Sequence, residues 1–150
     1  MALSFMGIGI VPKTMDVNIE DYNHVILCGP IWSGTLISPL RGFLGKYRSK
    51  IKSLTFVTCC GSIDEDKDGR FGYNRIFNKV KKLMGSKMKY CEAFPISLTL
   101  TEDKRKDEKA VLELRLTEKN FKDEIKERFN RFISSFTSRS SMHSKAEMVH

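Results

Sequence analysis

The sequence predicts an α/β fold in which a parallel sheet packs against helices. Two short apolar runs, residues 24–28 and 54–59, lack polar alternation and are bounded by turn residues, which is typical of strands buried on both faces of a parallel sheet. These runs alternate with segments that carry apolar residues at helical spacing, and such alternation favours a parallel sheet with helical crossovers. With 150 residues, 41% of them hydrophobic, the chain has enough material for one core.

The predicted elements follow one another from residue 24 onward. They are a strand over 24–28, a helix over 39–47, a strand over 54–59, a helix over 73–84 and a strand from 90 to about 100. Ser38 is the predicted N-cap of the first helix, and Pro39 suits the first helical position because its missing N–H would have no partner there. Gly85 ends the second helix, whose apolar stripe is Ile76, Val80 and Leu83. Pro95 indicates a bulge or a sheet edge.

The last third of the chain contains one ambiguous segment and one clear helix. Residues 111–116 alternate leucines with charged residues, as in an edge strand, yet their composition also suits a helix. Thr117 is expected to cap a helix with an apolar stripe made of Phe121, Ile125, Phe129, Phe132, Ile133 and Phe136. The serine-rich segment after that helix has no periodicity. The sequence therefore predicts a domain over residues 1–137 and a flexible tail over 138–150.

Charge and cysteine content limit the partners to be expected. The net charge of +8 is spread over several segments that also contain apolar helix positions, which favours a solvated surface over nucleic-acid binding. No apolar run reaches the roughly 20 residues of a membrane span, so no membrane partner is expected. The four cysteines fall on predicted strands or strand ends, as buried reduced thiols of a cytoplasmic protein do. Cys59 and Cys60 are adjacent, which is not the spacing of a redox pair.

Two loops leave the carboxyl ends of the predicted strands, where ligands bind in open α/β sheets. The first loop, Pro30–Thr35, carries Trp32, which either stacks on a ligand or covers the end of the sheet. The second loop, Thr58–Ser62, is followed by the acidic segment 64–69, which has the spacing of a calcium loop. A cation, Arg75, occupies the position where that loop needs a carboxylate, so a solvated acidic loop is favoured and no metal site is expected.

No catalytic residues are predicted from side-chain patterns. His24 opens a strand and has no serine or aspartate beside it in a catalytic arrangement. The cysteines have no nearby histidine in the sequence that would activate them as nucleophiles. A hydrolytic site is therefore not expected.

The two loops carry a resemblance to a known family. Pro30-Ile-Trp-Ser-Gly-Thr35, followed by Ser38-Pro-Leu-Arg-Gly-Phe-Leu44, resembles the flavodoxin family, and Thr58-Cys-Cys-Gly-Ser62 is similar to the family's second flavin-flanking loop. The resemblance covers residues from about 21 to 85. It implies a three-layer sandwich with FMN at the carboxyl edge of the sheet. The implied flavin contacts are Pro30, Ile31, Trp32, Ser33, Gly34, Thr35, Thr58, Cys59, Cys60, Gly61, Ser62 and, as second ring partner, Phe71 or alternatively Tyr73.

The resemblance also implies a function. It implies an electron carrier or an FMN-dependent oxidoreductase, with a redox partner protein or a small-molecule acceptor. The basic charge departs from the acidic surface of electron-carrier flavodoxins, which favours a reductase-like role or an acidic partner. The alternative is a cofactor-free binding or scaffold module that forms homo-oligomers.

The front end of the family pattern is missing. Flavodoxins begin with a strand, a hydroxyl-rich phosphate turn and a helix, whereas residues 1–22 supply only the apolar segment around Gly7 and Gly9. The sequence therefore predicts an N-terminally truncated flavodoxin-like domain that binds FMN weakly or not at all by itself. An upstream segment is expected to restore FMN binding and raise the unfolding temperature. The first strand would lack a neighbour, so residues 1–12, another chain or a longer native protein would have to cover it.

Overall fold

A computed structural model describes residues 9, 10, 13 and 15–146, with side chains up to residue 135. The chain divides into two compact units, Met1–Ile96 and Ser97–His150, which are described separately. The predicted cover of the first strand by residues 1–12 falls largely outside the described residues. Of the two residues described in that segment, Ile10 donates its backbone N–H to the Ser38 carbonyl at 3.1 Å, so it lies beside a helix.

The first unit contains a parallel sheet and a small hairpin. Its strands are β1 (Val25–Cys28), β2 (Ile31–Trp32), β3 (Thr35–Leu36), β4 (Leu54–Cys60) and β5 (Met88–Pro95). The sheet has the order β1-β4-β5, and both pairings are parallel. Strands β2 and β3 pair with each other in an antiparallel hairpin. The predicted α/β class with a parallel sheet is confirmed at this level.

Two helices cover one face of the sheet. They are α1 (Ser38–Tyr47), between β3 and β4, and α2 (Tyr73–Met84), between β4 and β5. The buried cluster joins sheet residues to helix residues: Leu27, Leu54, Phe56, Cys60 and Ala93 with Leu44, Tyr47, Ile76, Phe77, Val80 and Met84. Both crossovers run in the same direction along the sheet, and right-handed connections then place both helices on the same side.

The start of α1 differs from the prediction by one residue. Ser38 is the first helical residue rather than the N-cap, because the Ile37 carbonyl already accepts the first helical hydrogen bond, from Arg41 N at 3.1 Å. The Ser38 hydroxyl instead accepts a hydrogen bond from Arg41 Nη2 at 3.1 Å. The sequence motif located the helix correctly and misassigned its cap.

Helix α2 has the predicted bounds but a different buried stripe. It ends at Met84, and Gly85 adopts a φ of 56°, a conformation that glycine tolerates and other residues avoid. Ile76 and Val80 are buried as predicted, whereas Leu83 is 40% exposed. Met84, four residues after Val80, is 4% exposed and continues the stripe in its place. Phe77 is also buried, and its ring meets the Phe56 ring edge-on with centroids 6.0 Å apart.

The burial of β1 was predicted wrongly. Ile26 is 42% exposed and Cys28 is exposed, so this strand is buried on one face only. Within the described residues β1 pairs with β4 alone, which leaves its other edge without a ladder. The prediction of buried thiols is also wrong for Cys59, which is exposed, and holds for Cys60, which is buried.

The transition to the second unit is a short turn rather than a continued strand. Strand β5 ends at Pro95, and Ile96–Thr99 form a 3-10 turn, so the predicted third strand was too long. Pro95 is the last residue of β5, which is an edge strand of the described sheet, as its proline indicated.

The described residues of the second unit include two α-helices, α3 (Glu108–Glu113) and α4 (Asp123–Ala146). Helix α3 includes only residues 111–113 of the ambiguous segment, and residues 114–116 form neither a helix nor a strand. The Asp107 carboxylate caps α3 by accepting from the N–H groups of Lys109 and Ala110. The prediction that Thr117 caps α4 is wrong. The Thr117 carbonyl accepts from Asn120 N at 3.2 Å and Phe121 N at 3.0 Å, which closes a turn ahead of the helix.

Helix α4 continues into the segment that was predicted to be a tail. Ile125 and Phe132 are buried, as the apolar stripe predicts, whereas Phe129 and Ile133 are 39% and 42% exposed. The helical backbone runs to Ala146, and residues 147–150 lie outside the described part of the chain. Flexibility of the tail stays a prediction. Among the described helices, α4 included, none combines the length and apolar character needed to cross a membrane.

Candidate functional site at the carboxyl edge of the sheet

The hairpin that follows β1 presents a tryptophan at the carboxyl edge of the sheet. Its tip is formed by Ser33 and Gly34, which have positive φ angles of 48° and 64°, as two-residue hairpin turns require. Thr35 Oγ1 donates to the Trp32 carbonyl at 2.9 Å and closes the turn. This geometry leaves Trp32 55% exposed, although a buried position is usual for so large a side chain.

The loop after β4 is held together by hydrogen bonds and presents a phenylalanine. The Ser62 hydroxyl donates to the Phe71 carbonyl at 3.0 Å, which brings the two ends of the loop together. The loop is also fixed to the start of α2, where Tyr73 Oη donates to Asp64 Oδ1 at 2.6 Å. Phe71 is 56% exposed, and the Arg70 guanidinium lies 5.4 Å from the centroid of its ring.

These two loops are in direct contact. A Cβ atom placed on Gly34 would lie 2.9 Å from the Arg70 carbonyl oxygen and 3.2 Å from the Phe71 Cα atom. Only glycine allows so close an approach together with a positive φ. The tip of the hairpin therefore contacts the backbone of Arg70 and Phe71. The two exposed aromatic side chains, Trp32 and Phe71, both lie on loops at the carboxyl edge of the sheet.

The predicted flavin contacts divide into exposed and buried residues. Pro30, Trp32, Ser33, Cys59, Gly61 and Phe71 are exposed, and Ile31, Thr35 and Ser62 are half-buried. The side chains of Thr58 and Cys60 are buried, and Gly34 is enclosed by the second loop, so these three offer a ligand backbone groups at most. Tyr73 is 6% exposed and its ring packs on Phe77, so of the two alternatives for a second ring partner only Phe71 is accessible.

The thiols at this edge are poor nucleophiles. Partial burial raises the pKa of Cys28, and the neighbouring Cys59 raises it further. Partial burial also raises the pKa of Cys59. Because the thiolate is the reactive form of cysteine, both groups are neutral and weakly reactive near pH 7.

The acidic segment has a structural part in the second loop. Asp64 binds Tyr73 as described above, and Asp68 Oδ1 accepts from Asn74 Nδ2 at 2.9 Å, so both carboxylates are anchored to the first turn of α2. In the part of the chain that the structure describes, no three histidine, cysteine or acidic side chains are grouped as a metal site. The acidic residues that have calcium-loop spacing in the sequence therefore include two, Asp64 and Asp68, that hold this loop by hydrogen bonds.

Sequence reasoning missed a histidine site at the opposite, amino-terminal end of the sheet. His24 Nδ1 lies 2.8 Å from Ser53 Oγ, and His24 Nε2 lies 2.9 Å from Thr55 Oγ1. This site depends on the pairing of β1 with β4, which the local sequence around His24 does not contain. Because Val25 pairs with Leu54, the residue before β1 lies beside the start of β4. With a hydroxyl at each ring nitrogen, the imidazole connects the two strands.

Comparison of the chain with protein-family models, with curated proteins and with solved structures gave no significant match. The flavodoxin-like assignment stays a prediction that rests on the two loop motifs.

Proposed function

We propose that the protein is a flavodoxin-like FMN-binding protein that transfers electrons or reduces a small acceptor. The observation that carries the proposal is the pair of exposed aromatic side chains, Trp32 and Phe71, on two loops that contact each other. Exposed aromatic side chains can stack on a planar ring system, and the carboxyl edge of a parallel sheet is where ligands bind in open α/β folds.

The residues at this edge suit the ring end of a flavin. In this proposal Trp32 and Phe71 stack on the isoalloxazine ring and exclude water from it, while backbone N–H groups of residues 59–62 contact its polar edge. When bound, the flavin supplies the redox chemistry, and the protein positions it and tunes its potential.

The proposal includes the flavodoxin-like three-layer sandwich and a cytoplasmic location. The sheet order β1-β4-β5, with α1 and α2 on one face, supplies two of these three layers, and helices on the opposite face are part of the proposal. The four cysteines are free, as expected in a reducing compartment. The electron donor or acceptor is a redox partner protein or a small molecule, and the net charge of +8 favours an acidic one.

Flavin fluorescence tests the proposal directly. Because the phosphate turn is missing, the fluorescence of FMN should be quenched only at high concentrations of the purified chain. Trp32→Ala or Phe71→Ala should each weaken this binding about tenfold, as expected when one stacking partner is lost. Tyr22→Ala is the matched control, because Tyr22 is 49% exposed and lies before β1, at the other end of the sheet.

A comparison of FMN with riboflavin, which lacks the phosphate, separates the contributions of the ring and the phosphate to binding. Equal affinity for FMN and riboflavin would show that the edge holds the ring without the phosphate, whereas a preference for FMN would show that phosphate donors contribute. Absence of quenching by either flavin at high protein concentration would rule out the proposal for this chain.

A second function, a cofactor-free module that oligomerises, is favoured by the open side of β1. Ile26 is 42% exposed on a strand whose described partner is β4 alone, and exposed strand edges pair with other chains. Sedimentation velocity at micromolar concentration should then show an oligomer that Ile26→Lys dissociates. Val17→Lys, at an apolar residue that is 50% exposed, is the matched control. A wild-type monomer would exclude this second function.

A further inference from the structure

A groove between α2 and β5 is distinct from the carboxyl-edge site. It is an open groove with a volume of about 630 Å³, lined by residues of these two elements and of the turn between them. This volume lies in the range of small-molecule sites, roughly 300–1,000 Å³. None of its lining residues belongs to the loops that carry Trp32 and Phe71, so the groove is independent of the proposed flavin site.

The groove has an apolar wall and a cationic rim. Phe77, Met88 and Tyr90 supply apolar surface, and Lys81 and Lys89 supply two ammonium groups, without any carboxylate among the lining residues. Lys89 Nζ donates to the Ser86 carbonyl at 2.8 Å, which holds that ammonium at the end of the groove where α2 meets β5.

The other polar side chains that line the groove are those of Asn74, Tyr90 and Cys91. Burial raises the pKa of Cys91 to about 11, with a smaller lowering effect of Lys81 and a further raising effect of the Glu92 carboxylate. The thiol is therefore protonated at neutral pH and does not neutralise the lysines. An anionic group that enters the groove meets Lys81 and Lys89, while an apolar body meets Phe77 and Met88. The Glu92 carboxylate does not line the groove, and it accepts a hydrogen bond from the Tyr90 hydroxyl.

We propose that this groove binds a small amphipathic organic anion, with its apolar body against Phe77 and Met88 and its acidic group at Lys81 and Lys89. A neutral ligand of the same shape would use the apolar wall without the lysines, and an inorganic anion would use the lysines without the wall. The combination selects a carboxylate or sulfonate that carries an aromatic or aliphatic body.

A fluorescent sulfonate and its neutral analogue test the inference. The probes are 1-anilinonaphthalene-8-sulfonate and N-phenyl-1-naphthylamine, which share the ring system and differ in the sulfonate. The groove variant is Lys81→Gln with Lys89→Gln. The control variant is Lys79→Gln with Lys82→Gln, which removes two exposed charges that do not line the groove. Thermal unfolding of both variants shows that each is folded.

We expect the groove variant to lose at least about tenfold in affinity for the sulfonate, as is usual when charge-assisted hydrogen bonds are removed. The control variant and the affinity for the neutral analogue should change less than about twofold. In alkylation at alkaline pH, where a larger fraction of the Cys91 thiol is ionised, the sulfonate should slow the reaction of Cys91 and leave that of Cys28 unchanged, which locates the probe. Equal losses in both variants, unchanged binding in the groove variant, or no protection of Cys91 would each overturn the inference.

Discussion

Strands β1 and β4 come from similar apolar sequences and differ in burial. In β4 the first five residues are all buried, whereas in β1 only Leu27 is buried. On the face covered by α1 and α2 the two strands agree, since Leu27 is 7% exposed and its paired residue Phe56 is 0% exposed. On the opposite face they disagree, since Ile26 is 42% exposed and its paired residue Thr55 is 1% exposed.

The cause is the place of each strand in the sheet. Strand β4 has a neighbouring strand along each of its two edges, β1 and β5, whereas β1 has a single described neighbour. An apolar run therefore predicts that a strand forms and does not predict how many strands flank it. The same difference decides which strand contributes most to stability and which one offers a surface for pairing.

The largest expected effect compares aliphatic side chains of similar size on the two strands. Leu54→Ala on β4 should lower the free energy of unfolding by about 2–5 kcal/mol, because Leu54 is fully buried and the surrounding core cannot close the cavity. Ile26→Ala on β1 should lower it by roughly 1 kcal/mol or less, because the side chain is already partly in water. Urea denaturation measures both. Equal losses would show that the exposed face of β1 is covered in solution.

Much of the fold was predictable from local sequence signals. The bounds of α2 follow from its periodic apolar residues and from Gly85, and β4 follows from its apolar run. Residues 111–116 stayed ambiguous because the deciding signal, the Asp107 cap, lies outside that segment. Ser38 was misassigned because a cap depends on which carbonyl begins the helical ladder, and the motif Ser-Pro suits both possibilities.

The parts that could not be predicted depend on contacts between distant residues. The exposure of Ile26 follows from the sheet order, and no local pattern contains that order. The contact of Gly34 with Arg70, which joins the two loops of the site, requires both loops to be folded. The motifs placed Trp32 and Phe71 near the carboxyl edge, and the structure adds that Tyr73 is buried and Phe71 is exposed.

The next expected effect tests the connection between the amino ends of β1 and β4. His24→Ala removes the hydrogen bond to Thr55 Oγ1, a hydroxyl on a residue that is 1% exposed, and should cost about 1–3 kcal/mol of unfolding free energy. Adding Thr55→Val to this variant removes the buried hydroxyl as well and should cost little more, or restore part of the loss. Asn23→Ala, at the exposed neighbouring residue, is the control and should change stability by less than about 0.5 kcal/mol. A His24→Ala variant as stable as this control would show that the imidazole does not connect the strands.

The smallest expected effect concerns the carboxyl ends of the same strands, where the hairpin after β1 touches the loop after β4. Gly34→Ala would place a Cβ atom 2.9 Å from the Arg70 carbonyl oxygen in a residue with a φ of 64°. A left-handed conformation costs a non-glycine residue roughly 1–2 kcal/mol, so the variant should be destabilised by about that amount.

Gly45→Ala is the matched control for this glycine substitution. Gly45 lies in α1, and a Cβ atom there meets nothing within 4 Å, so this change should stabilise the protein by roughly 0.5–1 kcal/mol through helix propensity. The two substitutions add the same methyl group and are expected to have opposite signs. Trp32 fluorescence gives a second measurement, because a displaced hairpin tip changes the surroundings of the indole only in the Gly34 variant. If Gly34→Ala leaves both the unfolding free energy and the Trp32 emission unchanged, the two loops do not contact each other in solution, and the pairing of Trp32 with Phe71 as one site loses its structural basis.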